Sequence, residues 1–238
     1  MNTSRLNRSM IKKELLPEKI LQIGEGNFLR CFIDWQIDIL NEKNGLDAGV
    51  VIARPIDTDF PPTLNIQDGL YTTFLRGYDE QGVLRDEQRM ITSIKREISI
   101  YREYDKLLSL AKSPTLRFVF SNTTEAGIAF NAEDKLEDRP PHEYPAKLTR
   151  FLYERFRAFG GTKESGLIII PCELIDYNGR ELKRIVLQYA DLWQLNEEFC
   201  NWIKTANIFC STLVDRIVTG YPKKEAEKLT VKLVSCQA

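Results

Sequence analysis

Two patterns of hydrophobic and polar positions alternate along the chain. Short continuous apolar runs mark strands buried on both faces, and apolar residues recurring every three or four positions mark helices that bury one stripe. Residues 19–23, KILQI, read as a short buried strand. From Asn27 to about Asn44 the residues Phe28, Phe32, Trp35, Ile39 and Leu40 follow helical spacing, and Asn44-Gly45 supplies a helix stop. AGVVIAR, residues 48–54, is the next strand. Strand, helix and strand fit in about 35 residues, the size of a right-handed βαβ unit.

The alternation then breaks. DGLYTTFLRG, residues 68–77, alternates as a strand does, residues 77–82 are turn-rich, and residues 83–98 offer further strands. This stretch predicts an antiparallel insertion. A helix over 101–111 and a buried strand over 116–122, LRFVFSN, follow. The polar stretch 131–145 carries three prolines and reads as a loop. The helix over 145–159 places Leu148, Phe151, Leu152, Phe156 and Phe159 on one side and ends at Gly160-Gly161. GLIIIP, residues 166–171, is the most continuous apolar run and predicts a central parallel strand. Helices over 179–190 and 196–204 and a short strand over 207–210 complete the pattern.

Strands alternating with helices imply an α/β fold, a Rossmann-like, doubly wound, mostly parallel sheet carrying an antiparallel insertion. Residues 17–222 form the predicted domain, after an N-terminal extension over 1–16 and before a tail over 223–238. Ligands of such sheets gather at the carboxyl ends of the strands, here after Ile23, Ala53, Phe120 and Ile170.

Composition narrows the function. Hydrophobic residues at 43% and charged residues at 28% fit a soluble globular protein, and a net charge of −1 gives no electrostatic reason to bind nucleic acid. No window approaches the roughly 18 apolar residues of a membrane span. The basic N-terminus lacks the apolar core of a secretory signal. The five cysteines have no CxxC spacing and read as free, buried thiols in a reducing cytoplasm. His142, the one histidine, lies in the proline-rich loop, which argues against a zinc site and a Ser-His-Asp triad. No GxxxxGK[ST] phosphate loop is present.

The candidate chemistry sits at the strand ends. Gly24-x-Gly26 follows the first strand and opens a helix, the arrangement that lets backbone approach a pyrophosphate at the helix start. Leu29 stands where the third glycine of that fingerprint belongs, a packing change that predicts a helix set slightly further from the sheet. Asn27, Phe28 and Arg30 complete the turn, and Arg30 could contact the phosphates directly. The second strand ends in Ala53-Arg54-Pro55, without the acidic residue that commonly grips the ribose. Arg54 could stack on adenine or meet a 2′-phosphate, which would favour NADP, or be an ordinary surface arginine; Asp57 and Asp59 lie just beyond. SNTTEAG, residues 121–127, offers Glu125 for ribose or nicotinamide, or is a capped turn started by Thr123 or Thr124. In PCELIDYNG, residues 171–179, Glu173 is the carboxylate nearest a strand end, either a site residue or solvent-facing, and Asp176, Asn178 and Gly179 form a helix start. Asp215 and Arg216 lie inside the otherwise apolar STLVDRIVTGYP, residues 211–222, which by itself favours a buried structural pair.

In this order GEGNFLRCF, VIARPI, QDGLYTTFLRG, SNTTEAGI, IIPCELIDYNG and STLVDRIVTGYP resemble the N-terminal half of the mannitol dehydrogenase family of polyol-specific long-chain dehydrogenases. The resemblance covers residues 17 to about 229 and points within the family to members that interconvert D-tagaturonate and D-altronate with NAD(H) in hexuronate catabolism. It implies NAD as cofactor, no catalytic metal, and a uronate or polyol as substrate. It matches Gly24, Gly26, Phe28 and Arg30 to the family's cofactor turn, and Thr124 and Glu125 to its cofactor loop. Leu174 stands where mannitol-type members carry an asparagine that binds the reacting oxygen, whereas Asn178 and Gly179 match. Asp215 matches the family's VDRI segment as a substrate-side helper.

Family members are about twice this length, and the resemblance places the general-base lysine in a helical C-terminal domain. The last ten residues diverge from the pattern, so the chain reads as the cofactor half, expected to bind NADH weakly and to turn over tagaturonate negligibly. Lysines 223, 224, 228 and 232 receive no catalytic role. An apolar face is expected where the second domain docks, with self-association as a consequence. A catalytically inactive dinucleotide-binding fragment and an NADP-preferring sugar or polyol dehydrogenase are the alternatives.

Overall fold

The computed structural model describes residues 6–11, 13–58, 63–123, 127–225 and 229. Its elements in chain order are β1 (Glu18–Ile23), α1 (Asn27–Cys31), α2 (Ile33–Asn44), β2 (Gly49–Arg54), β3 (Tyr71–Tyr78), β4 (Leu84–Ile91), β5 (Ile94–Ser99), α3 (Tyr104–Ala111), β6 (Phe118–Ser121), α4 (Tyr144–Phe159), β7 (Ile168–Pro171), α5 (Asn178–Leu192), α6 (Glu197–Thr205) and β8 (Ile208–Phe209).

Six strands form one parallel sheet in the order β5-β2-β1-β6-β7-β8, and β3 pairs with β4 in a separate antiparallel hairpin. With the hairpin set aside, this is the 3-2-1-4-5-6 order of the Rossmann fold. Strand order reverses between β1 and β6, which opens a crevice at their carboxyl ends.

Period-two alternation sorts the strands between two cores. Leu21 and Ile23 of β1, and Val51 and Ala53 of β2, pack with α3, α4, α5 and α6 on one face. Ile20, Val50 and Ile52 pack on the other face with Leu29, Ile33 and Ile37 of α1 and α2 and with Ile91 of the hairpin.

The sequence reading holds for most elements and is corrected at three. The single helix expected over 27–44 is broken at Phe32, which closes α1 and opens α2 with φ −118° and ψ −65°. Gly45 ends α2 in the left-handed region, φ 62°, as its position predicted. Residues 94–99 do not belong to the antiparallel insertion. They form β5, a parallel partner of β2 at the sheet edge. β7 lies between β6 and the two-residue β8, so it is next to an edge rather than central. Its burial alternates, with Ile169 and Pro171 buried and Ile168 and Ile170 half-buried, so the apolar run does not require a central place.

The hairpin docks onto α2 through polar contacts. Tyr71 Oη lies 3.0 Å from Asp34 Oδ2 and 2.9 Å from the Arg30 carbonyl, its one proton shared between the two, and Arg89 Nε donates to Asp38 Oδ2 at 2.8 Å. Arg8 ties the N-terminal extension to the β4–β5 connection by donating to the carbonyls of Thr92 and Ile94 at 2.9 and 2.6 Å. Cys172 is buried and Cys31, Cys200 and Cys210 are half-buried, all four as free thiols. Among the described residues no helix is long and apolar enough to cross a membrane.

Candidate functional site

The first strand end is built on Gly24. Its φ of 123° excludes most side chains, its amide donates to the Ala53 carbonyl at 3.0 Å, and an added Cβ would stand 3.0 Å from the Asn122 carbonyl and 3.1 Å from Leu29 Cδ1. Leu29 is buried against the β1–β2 core, so the residue in the third glycine's place fills the interior beneath the turn. Gly26 differs from Gly24. It caps α1 with φ −60°, is exposed, and an added Cβ there would meet nothing within 4 Å. The backbone at Gly26 therefore faces open space at the crevice.

Asn27 is exposed and its Oδ1 accepts from Arg30 Nη2 at 2.8 Å. The Arg30 guanidinium lies over the Tyr71 ring at 5.7 Å, and its buried Nε has no hydrogen-bond partner among the described residues. Phe28 is half-buried in a tilted pair with Phe32. Beneath the turn, Gln22 Nε2 donates to the Gly24 carbonyl at 3.1 Å and reaches Asp34 Oδ2 at 3.4 Å. Burial raises the Asp34 carboxyl to about 7, against the hydrogen bonds from Tyr71 and Gln22.

At the end of β2, Arg54 is not a surface residue: it is 2% exposed. Its Nε lies 3.8 Å from Glu25 Oε2 and its Nη1 lies 3.9 Å from Glu97 Oε1. Among the described residues Arg54 Nε and Nη2 and Glu97 Oε1 have no hydrogen-bond partner.

Glu173 organises the ends of β6 and β7 from within. It is 1% exposed, so the solvent-facing alternative is excluded. Its Oε2 accepts from Ser121 Oγ at 3.1 Å, and its Oε1 accepts from the Thr123 amide and Oγ1, each at 3.0 Å. Burial raises its pKa and these bonds oppose the rise. Thr124 and Glu125, and Asp59 beyond β2, lie outside the described residues. Asn178, fully buried at the start of α5, donates through Nδ2 to the carbonyls of Pro171, Glu173 and Thr212 and accepts through Oδ1 from the Gly179 and Thr212 amides.

Residues 211–222 leave β8 as an extended strap. Val214 packs on the β1–β2 core, Arg216 stacks over Phe32 and Trp35 at 5.4 and 4.9 Å, and a Cβ at Gly220 would come 3.2 Å from Asn27 Nδ2. Leu213, Ile217 and Tyr221 point outward, 96%, 90% and 69% exposed. Asp215 shares that outer side, so the buried Asp215–Arg216 pair is not formed. An extended chain on a surface sends neighbouring side chains to opposite sides, and this separates the two charges.

The structure thus gathers Gly24, Gly26, Asn27, Phe28, Arg30 and Arg54 around one turn. It places Glu173 and Asn178 under the adjoining strand ends and Asp215 on the strap outside them. Sequence reasoning did not single out Asp34, Tyr71 or Glu97. The available signal for Glu97 was one acid among the isoleucines of a strand, REIS. An open cleft lined by Phe156, Arg157, Asn196 and Trp202 lies between the ends of α4 and α6, beside the chain entering β7 and away from this crevice.

The model of the mannitol dehydrogenase Rossmann domain matches residues 18–235. The chain belongs to the mannitol dehydrogenase family. Among curated relatives, the altronate oxidoreductase of Enterobacter sp. (strain 638) is 60% identical over 98% of this chain and 48% of its own length. That of Escherichia coli O7:K1 (strain IAI39 / ExPEC) is 59% identical over 96% of this chain and 47% of its own. The chain therefore spans about half the length of the curated relatives it matches. The fold is shared with Pseudomonas fluorescens mannitol 2-dehydrogenase, solved as a ternary complex with NAD and D-mannitol, at a TM-score of 0.74 and 23% identity over 94% of this chain and 50% of that one. A D-sorbitol dehydrogenase gives the same TM-score at 22% identity, over 92% of this chain and 46% of that one.

Proposed function

We propose that this chain is the NAD-binding part of an oxidoreductase that interconverts D-tagaturonate and D-altronate. The observation that carries the reading is the open backbone at Gly26, at the switch point of a 3-2-1-4-5-6 sheet. Similarity to altronate oxidoreductases supplies the substrate class. When bound, the nicotinamide supplies or accepts the hydride exchanged with the substrate's carbinol carbon.

The residues described above divide the work of holding and orienting. Gly24 sets the turn, and Gly26 and Asn27 present backbone amides to the diphosphate. Arg30 adds positive charge one turn into the helix, and Phe28 screens the turn from water. Glu173 fixes Thr123 at the end of β6, and Thr124 and Glu125, next in the sequence, are assigned to the cofactor. Asn178 holds the strap whose Asp215 is assigned to the substrate side. The outward Leu213, Ile217 and Tyr221 fit an apolar face that another domain or a second copy covers.

Isothermal titration of the chain with NADH tests the reading. Saturable heat that is lost in Gly26→Val supports it, and no heat with NADH or NADPH overturns it.

A further inference from the structure

The group at the end of β2 is incomplete as a set of internal contacts. Among the described residues a guanidinium that is 2% exposed leaves Nε and Nη2 without acceptors, and Glu97 Oε1 accepts from no donor, its carboxyl facing that of Glu25. Buried polar atoms in that state are costly, and a hydroxyl-bearing ligand relieves the cost. Glu97 is held in place. Its Oε2 accepts from the Leu64 amide at 3.2 Å, Asn65 brackets its backbone at 2.8 and 2.7 Å, and Glu25 stands between Gly24 and Gly26 in the turn. The Glu25 side chain is 35% exposed and forms the open side of the group. In a sheet of this order the ribose at the adenine end of a dinucleotide lies beyond the second strand.

We propose that Glu25, Arg54 and Glu97 form a proton-linked discriminator for that ribose. With Glu97 protonated, the trio is neutral and pairs with the 2′- and 3′-hydroxyls. With Glu97 ionised, it carries one excess negative charge, which weakens dinucleotide binding and repels a 2′-phosphate most. The acidic residue missing from the end of β2 is thus supplied by the turn and by the neighbouring strand β5. Arg54, between two carboxyls, selects against NADPH rather than for it.

The titration falls in the working range. Burial first, then the neighbouring Glu25 carboxyl, pushes Glu97 up to about 7, while the Leu64 amide and Arg54 favour its charged form. Among the described residues the charged groups facing Glu97 are Glu25 from the turn and Arg54 from β2.

The inference rests on the dinucleotide reading above, and calorimetry separates the two. NADH affinity is expected to fall several-fold between about pH 6 and pH 8, with NADPH weaker throughout and the gap widening at the higher pH. Glu97→Gln is expected to flatten the pH dependence and narrow the gap. The unmodified chain gives a second readout. Titration with NADH near neutral pH in buffers of different ionisation enthalpy is expected to show proton uptake on binding. NADH binding with no pH dependence and no proton uptake overturns the discriminator alone. Absence of binding by either dinucleotide overturns the cofactor reading and the discriminator with it.

Discussion

Asn178 holds Thr212 from both ends of its carboxamide: Nδ2 donates to the Thr212 carbonyl at 3.2 Å and Oδ1 accepts from the Thr212 amide at 2.9 Å. The same Nδ2 donates to the Pro171 and Glu173 carbonyls at 3.1 and 2.9 Å. One buried side chain therefore joins the end of β7, the start of α5 and the root of the strap. From that root the strap runs past Asn27 toward the hairpin, where Arg76 Nη1 meets Glu225 Oε2 at 3.0 Å.

Asn178→Ala removes every one of those bonds and takes their partner from the Thr212 carbonyl and amide, while the Pro171 and Glu173 carbonyls keep the Thr212 hydroxyl and the Ile175 amide. A loss of about 2–4 kcal/mol is expected, read as a lowered urea midpoint. Asn178→Asp keeps the acceptor and loses the donors, so its loss is expected to be of similar size, because an ionised carboxylate would face the Pro171, Glu173 and Thr212 carbonyls.

Arg155 is fully buried and donates to the carbonyls of Ser165, Ala111, Ser113 and Leu116 at 2.6, 2.9, 2.8 and 3.2 Å. It clasps the segments entering β6 and β7 onto α4. Burial brings its pKa down to about 10. Arg155→Met fills much of the volume and satisfies none of the carbonyls, so a loss of about 3 kcal/mol or more is expected in denaturant unfolding. A midpoint unchanged from the parent chain contradicts the clasp.

Stability is expected to fall as pH rises from about 4 to about 7. Asp34 and Glu97 keep their protons in the folded chain up to about 7 and release them at ordinary carboxylate values when unfolded. The unfolded state thus binds fewer protons over that window, and each group removes on the order of 1.4 kcal/mol per pH unit. Glu18 acts in the opposite sense at lower pH, because its hydrogen bond with Arg96 depresses its pKa and that stabilisation is lost on acidification. Urea midpoints measured across this range are expected to peak below neutrality, and Asp34→Asn to flatten the decline. A midpoint that climbs steadily to pH 7 counts against both assignments.

The two glycines of the turn are expected to respond differently to alanine. Gly26→Ala meets open space at an ordinary φ, so it costs less than about 1 kcal/mol of stability. Its methyl occupies the place proposed for the diphosphate, and NADH affinity is expected to drop about tenfold or more. Gly24→Ala forces a side chain to φ 123° against Asn122 and Leu29, and a stability loss of about 1–3 kcal/mol is expected. Thermal unfolding and calorimetry on the two variants read both effects. Unaltered NADH affinity in Gly26→Ala removes the turn from the cofactor site.

The turn was legible because its signal is local: a buried strand, Gly24-x-Gly26, then helical spacing. The break at Phe32 was not, because the apolar stripe continues through it and only the backbone angles record it. Glu173 was placed at the right strand end. The Ser121 and Thr123 groups that hold it lie on another strand, and no short-range pattern in PCELIDYNG points to them.

The chain's own pattern determined the α/β class, nearly every strand and helix and the position of the Gly24-x-Gly26 turn, while six motifs in order carried the resemblance to the family. The elements follow from spacing within one segment, where a period of 2 or 3.6 decides which side chains share a face. Tertiary structure alone decided that residues 94–99 leave the hairpin and pair with β2. That pairing brings Glu97 against Arg54 and Glu25 and turns three separate positions into one group, buried at Arg54 and Glu97 and open at Glu25. It also decided that Asp215, set in an apolar run, faces outward, because an extended strap has only one side to bury. Strand pairing and burial are settled between segments distant along the chain, by which apolar faces meet, and local spacing carries no record of the partner.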